Sequence, residues 1–117
     1  MIEHGSLADY LAFAKQEYAS TRGTALLHSS VSFDLTVTAL YVPLINGGAV
    51  ELAALEEPAP QRRSTFLKAT PSHLQVLAEL PETFAPTEEL LLAGEPLQGS
   101  VLAEWRERHP GVTVFNI

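Results

Sequence analysis

The sequence predicts an α/β protein in which a mainly parallel sheet carries helices on both faces. Three observations predict it. Short apolar runs alternate with stretches of helical period almost throughout the chain, the pattern of successive strand–helix units. The run Leu90-Leu91-Leu92-Ala93 is apolar at every position, as expected of a strand covered on both faces. Gly47-Gly48, Pro81 and Pro110-Gly111 fall between the runs, where turns belong. With 117 residues the chain fits one flavodoxin-like layer, and residues 1–117 are read as a single subdomain with a modest core.

The elements follow in order. Leu7, Tyr10, Leu11, Ala14 and Tyr18 recur at helical spacing, which predicts a helix over 6–20 with Ser6 as its cap and Asp9 in its first turn. Both tyrosines are read as packing against the sheet. Residues 24–29 form the first strand. The helix over 34–46 contains Pro43, which removes the bond to the carbonyl of Ala39, and Gly47-Gly48 stops it. Residues 49–53 form the second strand. A charged, proline-rich connection follows, Glu56-Glu57-Pro58-Ala59-Pro60-Gln61-Arg62-Arg63. Two prolines so close leave no room for a helix, so this segment is read as a solvated loop. Extended, its ten or so residues reach roughly 30 Å, just enough to return alongside a strand of about 17 Å.

Residues 64–69 form the third strand, with Lys68 its one charged residue. Thr70 caps the next helix and Pro71 occupies its first turn. That helix runs over 71–80 with Leu74, Leu77 and Ala78 inward. A loop leads to the fourth strand, 90–93, which Gly94 ends. The last helix, 97–109, buries Val101, Leu102 and Trp105, and Arg106, Arg108 and His109 suit its C-terminal dipole. Residues 112–116 are the fifth strand.

Composition narrows the function classes. The formal net charge is −7, which argues against nucleic acid, because phosphate binding needs clustered Lys and Arg. There are no cysteines, hence no disulfide framework and no thiolate metal site. The four histidines lie far apart without metal-ligand spacing. No apolar run reaches the length of a membrane span, and no signal peptide is evident. The expected setting is the cytoplasm, with no membrane partner.

One stretch organises the rest: His28-Ser29-Ser30-Val31-Ser32-Phe33-Asp34-Leu35-Thr36-Val37-Thr38-Ala39-Leu40. It leads from a strand through a serine-rich turn into a helix. Ser32 and Asp34 both suit the start of that helix. Asp34 and Thr38 share a helix face, with Leu35 beside them. A carboxylate, a hydroxyl and an apolar group there form one wall of a small-molecule pocket, because ligands of open parallel sheets bind at the carboxyl ends of strands. Taken alone, Asp34 reads as a helix cap first and a ligand second. His28 at the strand end reads as a hydrogen-bonded structural histidine.

This stretch, followed by Pro43-Leu44 and Gly47-Gly48, resembles the Phe-Asp motif of amino-acid-activating adenylation domains in nonribosomal peptide synthetases. Further stretches agree in order and spacing. Leu67-Lys68-Ala69-Thr70-Pro71-Ser72-His73-Leu74 is similar to the family's Pro-Ser/Thr-x-Leu segment. Leu91-Leu92-Ala93-Gly94-Glu95-Pro96-Leu97 is similar to its Gly-Gly-Glu segment. Val114-Phe115-Asn116-Ile117 is similar to the start of its Asn-x-Tyr-Gly-Pro-Thr-Glu segment, and Ile2-Glu3-His4-Gly5-Ser6-Leu7 to its His-x-x-Leu opening. The resemblance covers essentially the whole chain. It departs from the family at 54–63, where most members have a helix.

The resemblance implies the site. Asp34 matches the aspartate that holds the substrate's α-ammonium, a natural use of charge-assisted hydrogen bonds. Leu35, Thr38, Lys68, Leu91, Ala93 and Ile117 fall on positions that select the side chain. Each also has a plainer reading, as core, sheet or terminal residue, and Lys68 as a lysine whose stem packs while its ammonium reaches water. Gly94, Glu95 and Asn116 match segments that approach adenine or AMP. No catalytic or metal-binding residue is implied within the chain. The set Asp34, Leu35, Thr38, Lys68 resembles pockets for aspartate or asparagine. The intact parent would use ATP and Mg and load a peptidyl carrier protein. The phosphate loop, the metal-binding glutamate and the catalytic lysine of the family are absent from these residues. The chain alone is therefore expected to form no adenylate, to bind no cofactor tightly, and to expose apolar surface that favours a dimer. An acyl- or aryl-acid ligase fragment is the rival within the superfamily, and Asp34 argues against it. A stand-alone α/β binding module is the rival from another class.

Overall fold

The computed structural model describes residues 2–30, 32–33, 35–56 and 58–117, and of Leu35 the backbone alone. Among the described residues five strands form one sheet: β1 Thr24–Leu27, β2 Ala49–Leu52, β3 Phe66–Ala69, β4 Glu89–Leu92 and β5 Thr113–Asn116. The spatial order is β2-β1-β3-β4-β5, and every neighbouring pair is parallel. This is the flavodoxin-like order, in which the chain reverses direction across the sheet between β1 and β3.

Four helices cover it: α1 His4–Glu17, α2 Leu35–Ile45, α3 Pro71–Glu79 and α4 Gly99–Arg108. The period-2 alternation of the strands sorts their side chains. Ala25, Phe66 and Leu91 face Ala14 and Tyr18 from the α1 segment and Val42 of α2. Leu26, Leu67, Ala69, Leu90 and Leu92 face Leu74 and Leu77 of α3, Trp105 of α4 and Phe84. Helices on both faces, as the alternation predicts, follow from these two cores.

Several boundaries move. α1 opens at His4 with Glu3 as N-cap, so Ser6 is not the cap and Asp9 lies beyond the first turn. The amide of Ser6 instead bonds the carbonyl of Glu3 at 3.1 Å. The helical period beyond Glu17 continues as a 3-10 turn, Ala19–Arg22, which leaves Tyr18 buried against Phe66 and Phe115 at ring separations of 5.8 and 5.2 Å. After α2, Gly47 adopts φ +80, the left-handed helix stop. A Cβ on Gly48 would sit 2.2 Å from the carbonyl oxygen of Thr21, so only glycine fits there.

The connection from β2 to β3 is a loop, as expected, with Glu56, Arg62 and Arg63 exposed, but Leu55 and Ala59 are packed rather than solvated. β3 pairs with β1, not with β2, so the chain must pass over β1. Ala53, Leu55 and Ala59 pack against the α3/α4-side core, and Pro60 is buried. The segment does the covering that a crossover helix would do, with small and cyclic side chains that keep it close to the sheet. Outside the cores, Phe13, Tyr41, Leu44 and Ile45 on α1 and α2 remain exposed. No described helix is long and apolar enough to cross a membrane.

Candidate functional site at the ends of β1, β3 and β4

In a parallel sheet of this order the two chain directions part at the carboxyl ends of β1 and β3, which opens a crevice there. A cleft of about 840 Å³ lies at that place. The turn after β1 contributes His28, Ser29, Ser30, Ser32 and Phe33. The end of β3 and start of α3 contribute Lys68, Thr70, Ser72 and His73. The turn after β4 contributes Ala93, Gly94 and Glu95.

The first wall is built by local hydrogen bonds. Thr36, buried in the first turn of α2, donates its hydroxyl to the carbonyl of Ser30 at 2.5 Å and lies 2.8 Å from the Ser29 hydroxyl. The amide of Ser32 donates to Ser30 Oγ at 3.1 Å. Serine is frequent in such turns because its hydroxyl replaces a backbone partner. Asp34 lies outside the described residues, as does the side chain of Leu35, so their expected roles stand as expectations.

The second wall carries the charge. Lys68 is 8% exposed and its ammonium donates to Thr38 Oγ1 at 3.0 Å. Thr38 is fully buried on α2, and its hydroxyl is also 2.6 Å from Tyr10 Oη on α1. The resemblance put Thr38 and Lys68 on separate elements facing one pocket, and in the structure the two side chains are hydrogen-bonded. The fold also places Tyr10 behind them, packed against the core as the sequence suggested but hydrogen-bonded to Thr38 as well. A tyrosine where phenylalanine would pack as well was the available signal, since buried tyrosine hydroxyls usually find partners.

Two histidines meet at the floor. His28 Nε2 donates to the carbonyl of Lys68 at 2.9 Å, so this structural histidine also pins the backbone of β3 beneath the lysine. His73 Nδ1 accepts the amide of Thr70 at 3.0 Å. Thr70 caps α3, and His73 takes the reciprocal place usually held by Glu or Gln. The rings pack edge to face at 4.9 Å. Burial pushes both imidazoles below the ordinary histidine range, which suits neutral rings, one donating and one accepting.

The third wall ends on Gly94 and Glu95. Gly94 has φ +88, a conformation that leaves its backbone open to close approach. The carboxylate of Glu95 accepts the Ser72 hydroxyl at 2.6 Å and the Ser72 amide at 2.9 Å. These bonds, at the positive end of α3, hold Glu95 below the usual carboxylate range, the Ser72 hydroxyl contributing most.

The remaining expected residues separate. Ala93 lines the cleft. Leu91 is fully buried in the core beside Phe66 and Tyr18, a sheet residue in this arrangement. Asn116 ends β5 and is exposed, and Ile117 is 65% exposed with its amide bonded to the carbonyl of Leu92 at 2.9 Å. Both lie at the same end of the sheet as the cleft but do not line it. Among the described residues, no group of three or more acidic or histidine side chains could hold a metal ion. Among its described residues the cleft therefore offers the Lys68 cation, the fixed carboxylate of Glu95, neutral imidazoles and hydroxyls, which is binding chemistry.

No protein-family model matches the chain. Bacitracin synthase 3 of Bacillus licheniformis is 32% identical over 128 residues, covering 99% of this chain and 2% of that protein. The crystal structure of the nonribosomal peptide synthetase FmoA3 in its AMPPNP-bound form superposes with a TM-score of 0.81 over 98% of this chain and 14% of that one, at 19% identity. PA1221, an NRPS protein containing adenylation and PCP domains, is 25% identical with a TM-score of 0.63, over 92% of this chain and 22% of that one. The chain thus spans a small part of each protein it matches. The sequence relative, the shared parallel layer and the motifs in register agree: the chain belongs to the adenylation domains of nonribosomal peptide synthetases, as one segment of such a domain.

Proposed function

We propose that this segment supplies the side-chain pocket through which its parent domain chooses an amino acid, together with part of the surface that meets adenine. The buried ammonium of Lys68, anchored on Thr38 at the switch point of the sheet, carries the reading. A lysine kept from water in a ligand-sized cleft is costly unless acceptors surround it. A substrate side chain ending in a carboxylate or carboxamide adds one. Aspartate and asparagine fit that requirement, and the resemblance at Asp34, Leu35, Thr38 and Lys68 supports the same pair. Asp34 would hold the α-ammonium, with Leu35 and Ala93 shaping the pocket. Leu91 would act from beneath it, and Ile117 and Asn116 from the neighbouring strand end.

In the parent, the amino acid's carboxylate would attack the α-phosphorus of ATP, release pyrophosphate and leave an aminoacyl-adenylate for transfer to a peptidyl carrier protein. The open backbone at Gly94 and the fixed carboxylate of Glu95 suit the approach of a planar base. The described residues offer no Mg site. Stabilising phosphate charge dominates such chemistry, so the 117-residue chain alone would form no adenylate. The exposed Tyr41, Leu44 and Ile45 support burial against the rest of the domain, or self-association of the chain when isolated.

The test is amino-acid-dependent exchange of labelled pyrophosphate into ATP by the full adenylation domain containing this chain. Aspartate or asparagine should give the highest rate. Exchange driven by an acyl or aryl acid without an α-amino group, or by no acid at all, would overturn the reading.

A further inference from the structure

We propose that Tyr10, on α1 and outside the cleft, is a positioning residue for selectivity: it orients the Thr38 hydroxyl and through it the Lys68 ammonium. This rests on the amino-acid pocket proposed above.

A fully buried threonine hydroxyl must place its proton and lone pairs within the protein. Thr38 Oγ1 accepts an N–H from Lys68 at 3.0 Å, and Tyr10 Oη lies 2.6 Å away. The 2.6 Å contact allows either hydroxyl to donate, and the arrangement the proposal uses has Thr38 donating to Tyr10. Tyr10 is only half-buried. Thr38 donating away from Lys68 turns its lone pairs toward the ammonium and strengthens that bond, as expected of hydrogen bonds in series. Three elements meet in this chain of bonds, α1, α2 and β3, and none of the three residues is near another in sequence. Without the tyrosine oxygen, the buried Thr38 proton loses its acceptor. The hydroxyl then rotates, and its bond to the ammonium weakens.

The consequence is selectivity for acceptor-bearing side chains, with general activity retained. The measurement is the kcat/KM ratio of aspartate or asparagine to leucine in the full adenylation domain, for wild type, Tyr10→Phe, Thr38→Ser, Thr38→Val and Lys68→Met. Tyr10→Phe keeps the ring and should lower the ratio by roughly two- to tenfold, the range for one neutral hydrogen bond, with leucine unchanged. Thr38→Val should also lower the ratio, and Thr38→Ser should keep the wild-type ratio. If Lys68→Met changes the ratio but Tyr10→Phe leaves it alone, or lowers every substrate equally, Tyr10 is a packing residue and the inference fails while the pocket stands. If Lys68→Met leaves the ratio unchanged, the pocket reading fails and takes this inference with it. Should Tyr10→Phe misfold, the threonine pair decides: Ser retaining and Val losing the ratio supports the relay, and equal behaviour of the two refutes it.

Discussion

The two faces of the sheet are built from the same strands, yet they differ in kind. Toward α3 and α4 the strands present Leu26, Leu67, Ala69, Leu90 and Leu92, and the helices answer with Leu74, Leu77 and Trp105. Toward α1 and α2 the aromatic cluster of Tyr18, Phe66 and Phe115 is flanked by polar groups. Glu89, at the start of β4, accepts the amide and the hydroxyl of Ser20. Lys68, near the end of β3, bonds Thr38, which bonds Tyr10. One face is held by apolar burial, which is non-directional and tolerant of the exact partner. The other is held partly by hydrogen bonds, which fix single atoms. The site opens where that second face reaches the carboxyl ends of the strands. Stability and recognition are therefore divided between the faces, and each can be perturbed with limited effect on the other.

The largest expected effect is on the apolar face. Phe84 is fully buried there. Phe84→Ala should cost about 3–5 kcal/mol, the range for deleting a large buried aromatic. Urea unfolding of the protein would read it as a lower midpoint. The substrate ranking of the surviving folded protein should not change. A changed ranking would mean that the two faces are coupled through the sheet.

A smaller effect separates them by pH. His28 and His73 are held below the ordinary value of 6.5 chiefly by burial. The unfolded chain then binds protons that the folded one refuses, so stability rises with pH in this window. Their contribution is intact above 6.5 and is lost progressively as pH falls below it. Glu95, held low by Ser72, is lost later, as pH falls below the ordinary glutamate value of 4.5. His73→Gln preserves the capping acceptor and removes one titrating group. Its melting temperature should fall less between pH 6.5 and 5.5 than that of the wild type. An identical fall would show that His73 protonates without strain.

How much of this was legible in the sequence follows from the range of each interaction. Period and turn chemistry are local, so the five described strands and four described α-helices were anticipated, with shifts at the ends such as Ser6 and Glu17, whereas the 3-10 turns were not. The capping by Thr70 and Pro71 was legible for the same reason. The path of 54–63 was not, because Leu55 and Ala59 bury themselves on strands far away in sequence. Lys68 and Thr38 were assigned to one pocket through the family resemblance, where residue spacing alone cannot pair a strand with a helix across 30 positions. Tyr10 and His73 were read only as packing or helix residues, because their partners are fixed by tertiary structure. Leu91, at a selectivity position by resemblance, lies in the core instead of on the cleft wall.

The central claim is that the polar face ends in a pocket whose lysine reads the substrate side chain. It is tested most directly by kcat/KM for a panel of amino acids with the wild-type full domain and its Lys68→Met variant. A hydrogen bond to a charged group is worth about 1.5–3 kcal/mol, or roughly tenfold to over a hundredfold. Lys68→Met should lower aspartate or asparagine activation by about that factor while hydrophobic amino acids gain. An unchanged ranking, or a wild type that already prefers an aliphatic side chain, would contradict the account.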